Sequence, residues 1–241
     1  MVEALRRTEL RTSASIELVV LTKPLATESQ SLISRCVSGI KKALKPILGT
    51  DQQWVPIDEI DFLSNCETIH VDPKQRDTVG VELPDEIVDR IADETDLVVH
   101  YSVGILKGSI LHEPTHGVIG FHHGDIRCHR GTHAGFWEFL RNEPTAGVTL
   151  QQYTSDLDAG RILCLEEVDI RDTDSWGEVR ERMYAASEPM IAEAITKLND
   201  PHFSPERVPP DELGEMHYSS DVTWFVRLRW LVAEIRGRIF K

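Results

Sequence analysis

Two apolar runs constrain this chain most. Ile16 to Leu21 (IELVVL) and Leu97 to Val103 (LVVHYSV) are nearly continuous and rich in β-branched residues. A run with no polar face belongs to a strand covered on both sides, the condition met where helices flank a parallel sheet. The segments around these runs supply the helices. SLISRCVSGIKKALKPIL sets Leu32, Ile33, Cys36, Ile40, Leu44 and Ile47 at helical spacing, and Pro84 to Glu94 predicts a helix with proline in its first turn. Glu67 to Val71 and Val118 to Phe121 read as further strands, and Gly104 to Leu111 as a short helix stopped at Glu113-Pro114. Alternation of this kind implies an α/β fold with a mostly parallel sheet flanked by helices. Ligands in such sheets bind beyond the carboxyl ends of the strands, and His122 stands at one of those ends.

The second half continues the pattern. Arg161 to Ile170 alternates and predicts a strand paired with Gly147 to Tyr153. Asp174 to Leu198 reads as one long helix capped by Ser175, with Val179, Met183, Ala186, Met190, Ile191, Ile195 and Leu198 as its apolar stripe. Residues 1–200 therefore form the α/β domain, with the first fourteen or so polar residues expected to be flexible. Residues 201–241 are a proline-containing connector and a short helical C-terminal extension, in which Trp224, Leu228, Leu231, Ile235 and Ile239 make a stripe beside Arg227, Arg229, Arg236, Arg238 and Lys241. That basic, amphipathic helix suits docking on the core, contact with a partner, or a peripheral membrane surface.

Composition excludes several classes. A net charge of −14 over 241 residues argues against nucleic-acid binding, because phosphate backbones attract basic surfaces. Cys36, Cys66, Cys128 and Cys164 lie far apart with no C-x-x-C pair, which predicts free thiols rather than a disulfide framework. The opening MVEALRRTELRTSAS has no apolar core of signal-peptide length, and no run reaches the roughly 18 apolar residues of a membrane span, so a cytoplasmic location is expected. The turn after the first strand, TKPLATES, carries no glycine, and a nicotinamide or flavin cofactor is rejected on that ground.

The chemistry concentrates between Gly117 and Gly160: GVIGFHHGDIRCHRGTHAGFWEFLRNEPTAGVTLQQYTSDLDAG. Six histidines, His112, His116, His122, His123, His129 and His133, invite a metal reading. Zinc needs three or four converging ligands, whereas neighbours such as His122 and His123 point to opposite faces of a strand, so no metal is expected. Arg130-Gly131 reads as structural, and Phe136 and Trp137 as core residues of a helix.

In combination, G-V-I-x-F-H-x-G, Arg130-Gly131, Gly147-Val148-Thr149 and Asp158-x-Gly160 resemble the formyltransferases that use 10-formyltetrahydrofolate, a family acting on glycinamide ribonucleotide, methionyl-tRNA or amino sugars. The resemblance covers roughly Leu97 to Val168 and implies a Rossmann-like fold. It implies an enzyme, with 10-formyltetrahydrofolate as formyl donor, His122 polarising the formyl oxygen, and Asp158 as its acid/base partner. The family's asparagine falls on Gly120, so one hydrogen-bond donor to that oxygen is missing. Val103, Gly104, Ile105, Leu106, Thr154, Ser155 and Asp156 would line the donor site. His123, Asp125 and Arg127 replace a normally apolar turn and would contact the acceptor. The length after the catalytic unit and the acidic character set tRNA aside, so the expected acceptor is a small-molecule amine, with an amino sugar as the guess. Hydrolysis of the donor to formate and a silent, ligand-binding homologue are the alternatives that Gly120 brings in.

Overall fold

The computed structural model of this protein describes residues 2–22, 59–63, 66–75, 80–101 and 104–239. The amphipathic segment around Leu32 to Ile47 lies outside them, as do Cys36 and Val103. The strands are β1 (Leu18–Thr22), β2 (Glu67–Val71), β3 (Lys74–Gln75), β4 (Gly80–Glu82), β5 (Val98–Val99), β6 (Ile105–Leu106), β7 (Val118–His122), β8 (His129–Gly131), β9 (Thr145–Gln152), β10 (Arg161–Asp169), β11 (Glu206–Arg207) and β12 (Glu215–His217). The helices are α1 (Val2–Arg11), α2 (Asp85–Glu94), α3 (Phe136–Arg141), α4 (Trp176–Ser187), α5 (Met190–Leu198) and α6 (Trp224–Ile239).

The class is α/β and Rossmann-like, with helices against mixed sheets. Pairings β1/β2, β4/β6, β5/β7 and β8/β12 are parallel, whereas β7/β9, β9/β10 and β10/β11 are antiparallel. The central sheet runs β11-β10-β9-β7-β5. The β9/β10 pairing is antiparallel because the two strands are joined directly through residues 153–160, too short a link for a helical crossover. One face packs Ile119, Val148, Leu150 and Leu163 against Val179 and Met183 of α4, Met190 and Ile191 of α5, and Ala4 of α1. On the other side, Val118 joins Val81, Val88, Ile91, Leu106 and Ile110.

Several expectations change. The residues expected to be flexible form α1, whose Ala4 and Thr8 are buried against α5. Among the described residues of the strand expected over Leu97 to Val103, Val98–Val99 is strand, extended by the His100 N–H donating to the Ile119 carbonyl at 2.8 Å. Gly104 to Leu111 is not one helix: Ile105–Leu106 is a strand and Ser109–Leu111 a single 3-10 turn. The long helix expected over Asp174 to Leu198 breaks at Pro189, which lacks an N–H and separates α4 from α5. Ser175 does cap α4, its hydroxyl accepting from the Glu178 N–H at 3.2 Å. The stripe Trp224, Leu228, Leu231 and Ile235 faces solvent, and α6 docks instead through Trp230, Glu234 and Gly237.

Candidate active site

Side chains alternate along β7, so Val118, Gly120 and His122 share one face, while Ile119, Phe121 and His123 share the other. The register with β9 sets Gly120 opposite Gln151 and His122 opposite Thr149. His122 is buried, with Nδ1 at 3.5 Å from Asp158 Oδ1 and Nε2 donating to the His129 carbonyl at 2.8 Å. Asp158 sits in the turn between β9 and β10 at φ 45°, a left-handed conformation that aspartate tolerates better than most residues. Its Oδ2 accepts from the Gly131 N–H at 2.9 Å, and its Oδ1 from Gln151 Nε2 at 3.4 Å. The Arg130-Gly131 pair thus has a specific task. Gly131, at φ 91°, presents its amide to Asp158, while Arg130 Nε donates to the Gly214 carbonyl at 2.8 Å. Thr149, fully buried, donates to the Gly124 carbonyl at 2.7 Å and holds the turn after His122.

Gly120 is not beside open space. A Cβ there would lie 2.1 Å from the Tyr153 hydroxyl oxygen and 2.6 Å from its ring carbon. That hydroxyl is 3.0 Å from His100 Nδ1. Burial, and secondarily the charge of Asp158, pushes the Tyr153 phenol up to about 12. Burial holds His100 down at about 4.

The other expected site residues scatter. Gly104 (φ 98°) precedes β6, Ile105 is half-buried, and the Leu106 side chain belongs to the core, so Leu106 can serve a ligand only through its backbone. A groove of about 630 Å³ opens immediately beyond, lined by Lys107, Gly108, Tyr153, Thr154, Ser155 and Arg161. Its size is that of a small-molecule site. Asp156 is exposed, its N–H donating to Thr154 Oγ1 at 3.4 Å. His123 is half-buried between Phe121 and Tyr184, and desolvation first, then the neighbouring His122, lowers it to about 3. It packs there on two rings, whereas Asp125 and Arg127 stand in the turn that follows. Those two pair with each other, Arg127 Nη2 to Asp125 Oδ2 at 2.8 Å. Burial opposes ionisation of Asp125, but its bonds from Arg127 prevail and hold the carboxyl below its usual value.

Sequence reasoning overlooked Tyr153, His100 and Gln151, and also a second histidine group. His129 Nε2 donates to Glu143 Oε1 at 3.0 Å, His129 Nδ1 is 3.2 Å from His217 Nε2, and Trp137 stacks on His217 with ring centroids 4.4 Å apart. His217 comes from β12, far along the chain. Among the described residues no group of three or more His, Cys, Asp or Glu is placed to hold a metal ion, and Cys66, Cys128 and Cys164 are free.

A mixed α/β sheet thus carries a histidine-aspartate pair at the end of one of its central strands. The profile described as formyl transferase matches residues 70–195, just over half of the chain, and the chain belongs to that family. Among curated relatives, methionyl-tRNA formyltransferase of Bacillus licheniformis is 30% identical over 118 residues, which are 48% of this chain and 37% of that protein. The Bacillus subtilis enzyme of that name is 29% identical over 128 residues, 53% of this chain and 40% of its own. The matched stretch thus spans about two fifths of those relatives. Among solved structures, an N-formyltransferase from Helicobacter canadensis in complex with folinic acid and dTDP-3-aminofucose aligns with a TM-score of 0.57 at 14% identity, covering 91% of this chain and 81% of that one. A formyltransferase from Anoxybacillus kamchatkensis, in complex with a formamido sugar nucleotide and tetrahydrofolate, aligns with a TM-score of 0.51 at 17% identity, covering 88% and 90%. At those identities the likeness is one of fold.

Proposed function

We propose that this chain transfers a formyl group from 10-formyltetrahydrofolate to the amine of a small acceptor, with an amino sugar as the favoured class. The observation that carries the reading is the His122–Asp158 pair, in which an anchored carboxylate in a turn lies 3.5 Å from a histidine at a strand end. In the reaction the acceptor nitrogen forms a bond to the formyl carbon, the bond from that carbon to N10 of the donor breaks, and one proton passes from the amine to N10. Asp158, with one oxygen fixed by Gly131 N–H, keeps the other oxygen toward His122, so the pair can hold that proton in transit. The groove from Lys107 to Arg161 fits the donor: it has the needed volume, hydroxyls at Thr154 and Ser155, and two cationic side chains suited to a carboxylate-bearing tail. The acidic net charge of −14 favours a small acceptor over a nucleic acid.

The test is incubation with 10-formyltetrahydrofolate, with and without a panel of amines that includes amino-sugar nucleotides. Amine-dependent formamide with little free formate is the expected result. Formate released equally without amine would replace transfer by hydrolysis, and no turnover would make the chain a binder. Asp158→Asn should lower kcat by about 10²–10⁴-fold, the range for a positioned acid or base.

A further inference from the structure

We infer that Tyr153 stands in for the family's missing asparagine, donating a hydrogen bond from its phenol to the formyl oxygen as negative charge builds there; this rests on the formyl-transfer reading above. The position of the hydroxyl is the first reason. It lies 2.1 Å from where a Cβ of residue 120 would be, so it fills the volume that a side chain at that position would otherwise take. The sheet explains how. Gly120 pairs with Gln151, and the Tyr153 N–H donates to the Val118 carbonyl at 2.8 Å, which makes Tyr153 the diagonal neighbour of Gly120 on the same face. An aromatic ring reaches that far across a pair of strands, and only glycine leaves it room to lie there. The exchange of asparagine for glycine and the arrival of tyrosine are one event in space, although thirty-three positions separate them in the chain.

Protonation is the second reason. The phenol keeps its proton, since burial and Asp158 raise it to about 12. It is a donor throughout the range in which an amine acceptor is nucleophilic.

Direction is the third. His100, neutral because burial lowers it, carries a single N–H. Its Nε2 is buried with no partner, and its Nδ1 faces the Tyr153 oxygen at 3.0 Å. Buried N–H groups without an acceptor are rarer than unsatisfied lone pairs, so the proton belongs on Nδ1. His100 then donates to Tyr153, and among the described residues the phenol's own O–H meets no acceptor. That O–H is oriented for a ligand. His122 does not remove the need for it, because its Nε2–H already donates to the His129 carbonyl. Tyr153 is thus a catalytic donor and His100 a positioning residue.

The experiment compares formyl transfer from 10-formyltetrahydrofolate to the best amine by the unaltered chain, Tyr153→Phe, Tyr153→Ala, Gly120→Asn and the double variant Gly120→Asn/Tyr153→Ala. Tyr153→Phe should lose about 10²–10³-fold in kcat, the loss seen when one oxyanion donor is removed, with the donor KM changed only a few-fold. Gly120→Asn alone should also lose activity, because its side chain collides with Tyr153. The double variant should exceed Tyr153→Ala by at least about tenfold in kcat, since the amide regains its space. His100→Gln, which keeps an N–H, should restore activity that His100→Phe loses. Melting temperature and tetrahydrofolate binding establish that each variant is folded. A folded Tyr153→Phe with unaltered kcat, or a folded double variant no better than Tyr153→Ala, overturns the inference alone. Absence of turnover by the unaltered chain overturns the formyl-transfer reading and the inference with it.

Discussion

Gly131 combines two demands that no other residue type meets together. Its φ of 91° is a region that side chains avoid, and a Cβ would lie 2.0 Å from the His217 carbonyl oxygen. Its N–H meanwhile fixes Asp158. Gly131→Ala should therefore cost about 1–3 kcal/mol of stability from backbone strain alone, read by urea unfolding, and should also lower kcat as Asp158 loses its anchor. Two partly buried histidines set an acid limit. His100 and His123 titrate near 6.5 when unfolded but only at about 4 and about 3 when folded, so the unfolded chain binds more protons over that interval. Their contribution is complete above pH 6.5 and declines as pH falls toward 4. Glu138, raised by burial, works in the opposite sense. His123→Phe keeps an aromatic ring between Phe121 and Tyr184 yet removes one of the two titrations, so its melting temperature should fall less steeply between pH 6.5 and 4 than that of the unaltered chain.

Among the elements, those with one unambiguous periodicity were readable from sequence. Glu67–Val71, Val118–His122 and the β9/β10 pair carry period-two or continuous apolar patterns with glycines or polar residues at their ends. α1 was not readable, because among its described side chains the strongly buried ones are the small Ala4 and the polar Thr8, which carry little pattern. The stripe of α6 misled for the opposite reason: the helix is apolar on two faces, and spacing cannot say which one docks. Burial follows Trp230, Glu234 and Gly237, where Glu234 Oε1 accepts from the Trp176 N–H at 2.9 Å, at the positive end of α4. A Cβ at Gly237 would stand 2.0 Å from the Asp174 carbonyl oxygen. Gly237→Ala should therefore lift α6 from α4, seen as faster proteolysis and amide exchange within residues 224–239 and little change in β7 or β9. Of the site, His122 and Asp158 were legible because they sit in a motif. Tyr153 was not, because its meaning depends on a cross-strand register that links it to Gly120, and no local spacing encodes that register.

Taken whole, the molecule closes its candidate site with material from inside the matched region, residues 70–195, and from beyond it. Gln151 and Asp158 arrive on the β9/β10 hairpin, His100 from the end of β5, and His217 from β12, which pairs with β8 through Glu215–His129, Met216–Arg130 and His217–Gly131. Gly214 permits that approach, since a Cβ on it would stand 2.3 Å from the Cys128 carbonyl carbon. Gly214→Ala should loosen β12 from β8, measured as faster exchange of the Thr132 amide, which donates to the His217 carbonyl at 2.9 Å, with weakened stability of the whole domain rather than of one loop. The β8/β12 pairing also bears on how the molecule is made. Residue 131 leaves the ribosome long before residue 217, so for that interval the turn that anchors Asp158 has an unpaired strand edge. The His122–Asp158 pair receives its final support only when almost all of the described chain has been synthesised. During that interval the edge of β8 is open to wrong partners, and β12 must find it before a neighbouring chain does.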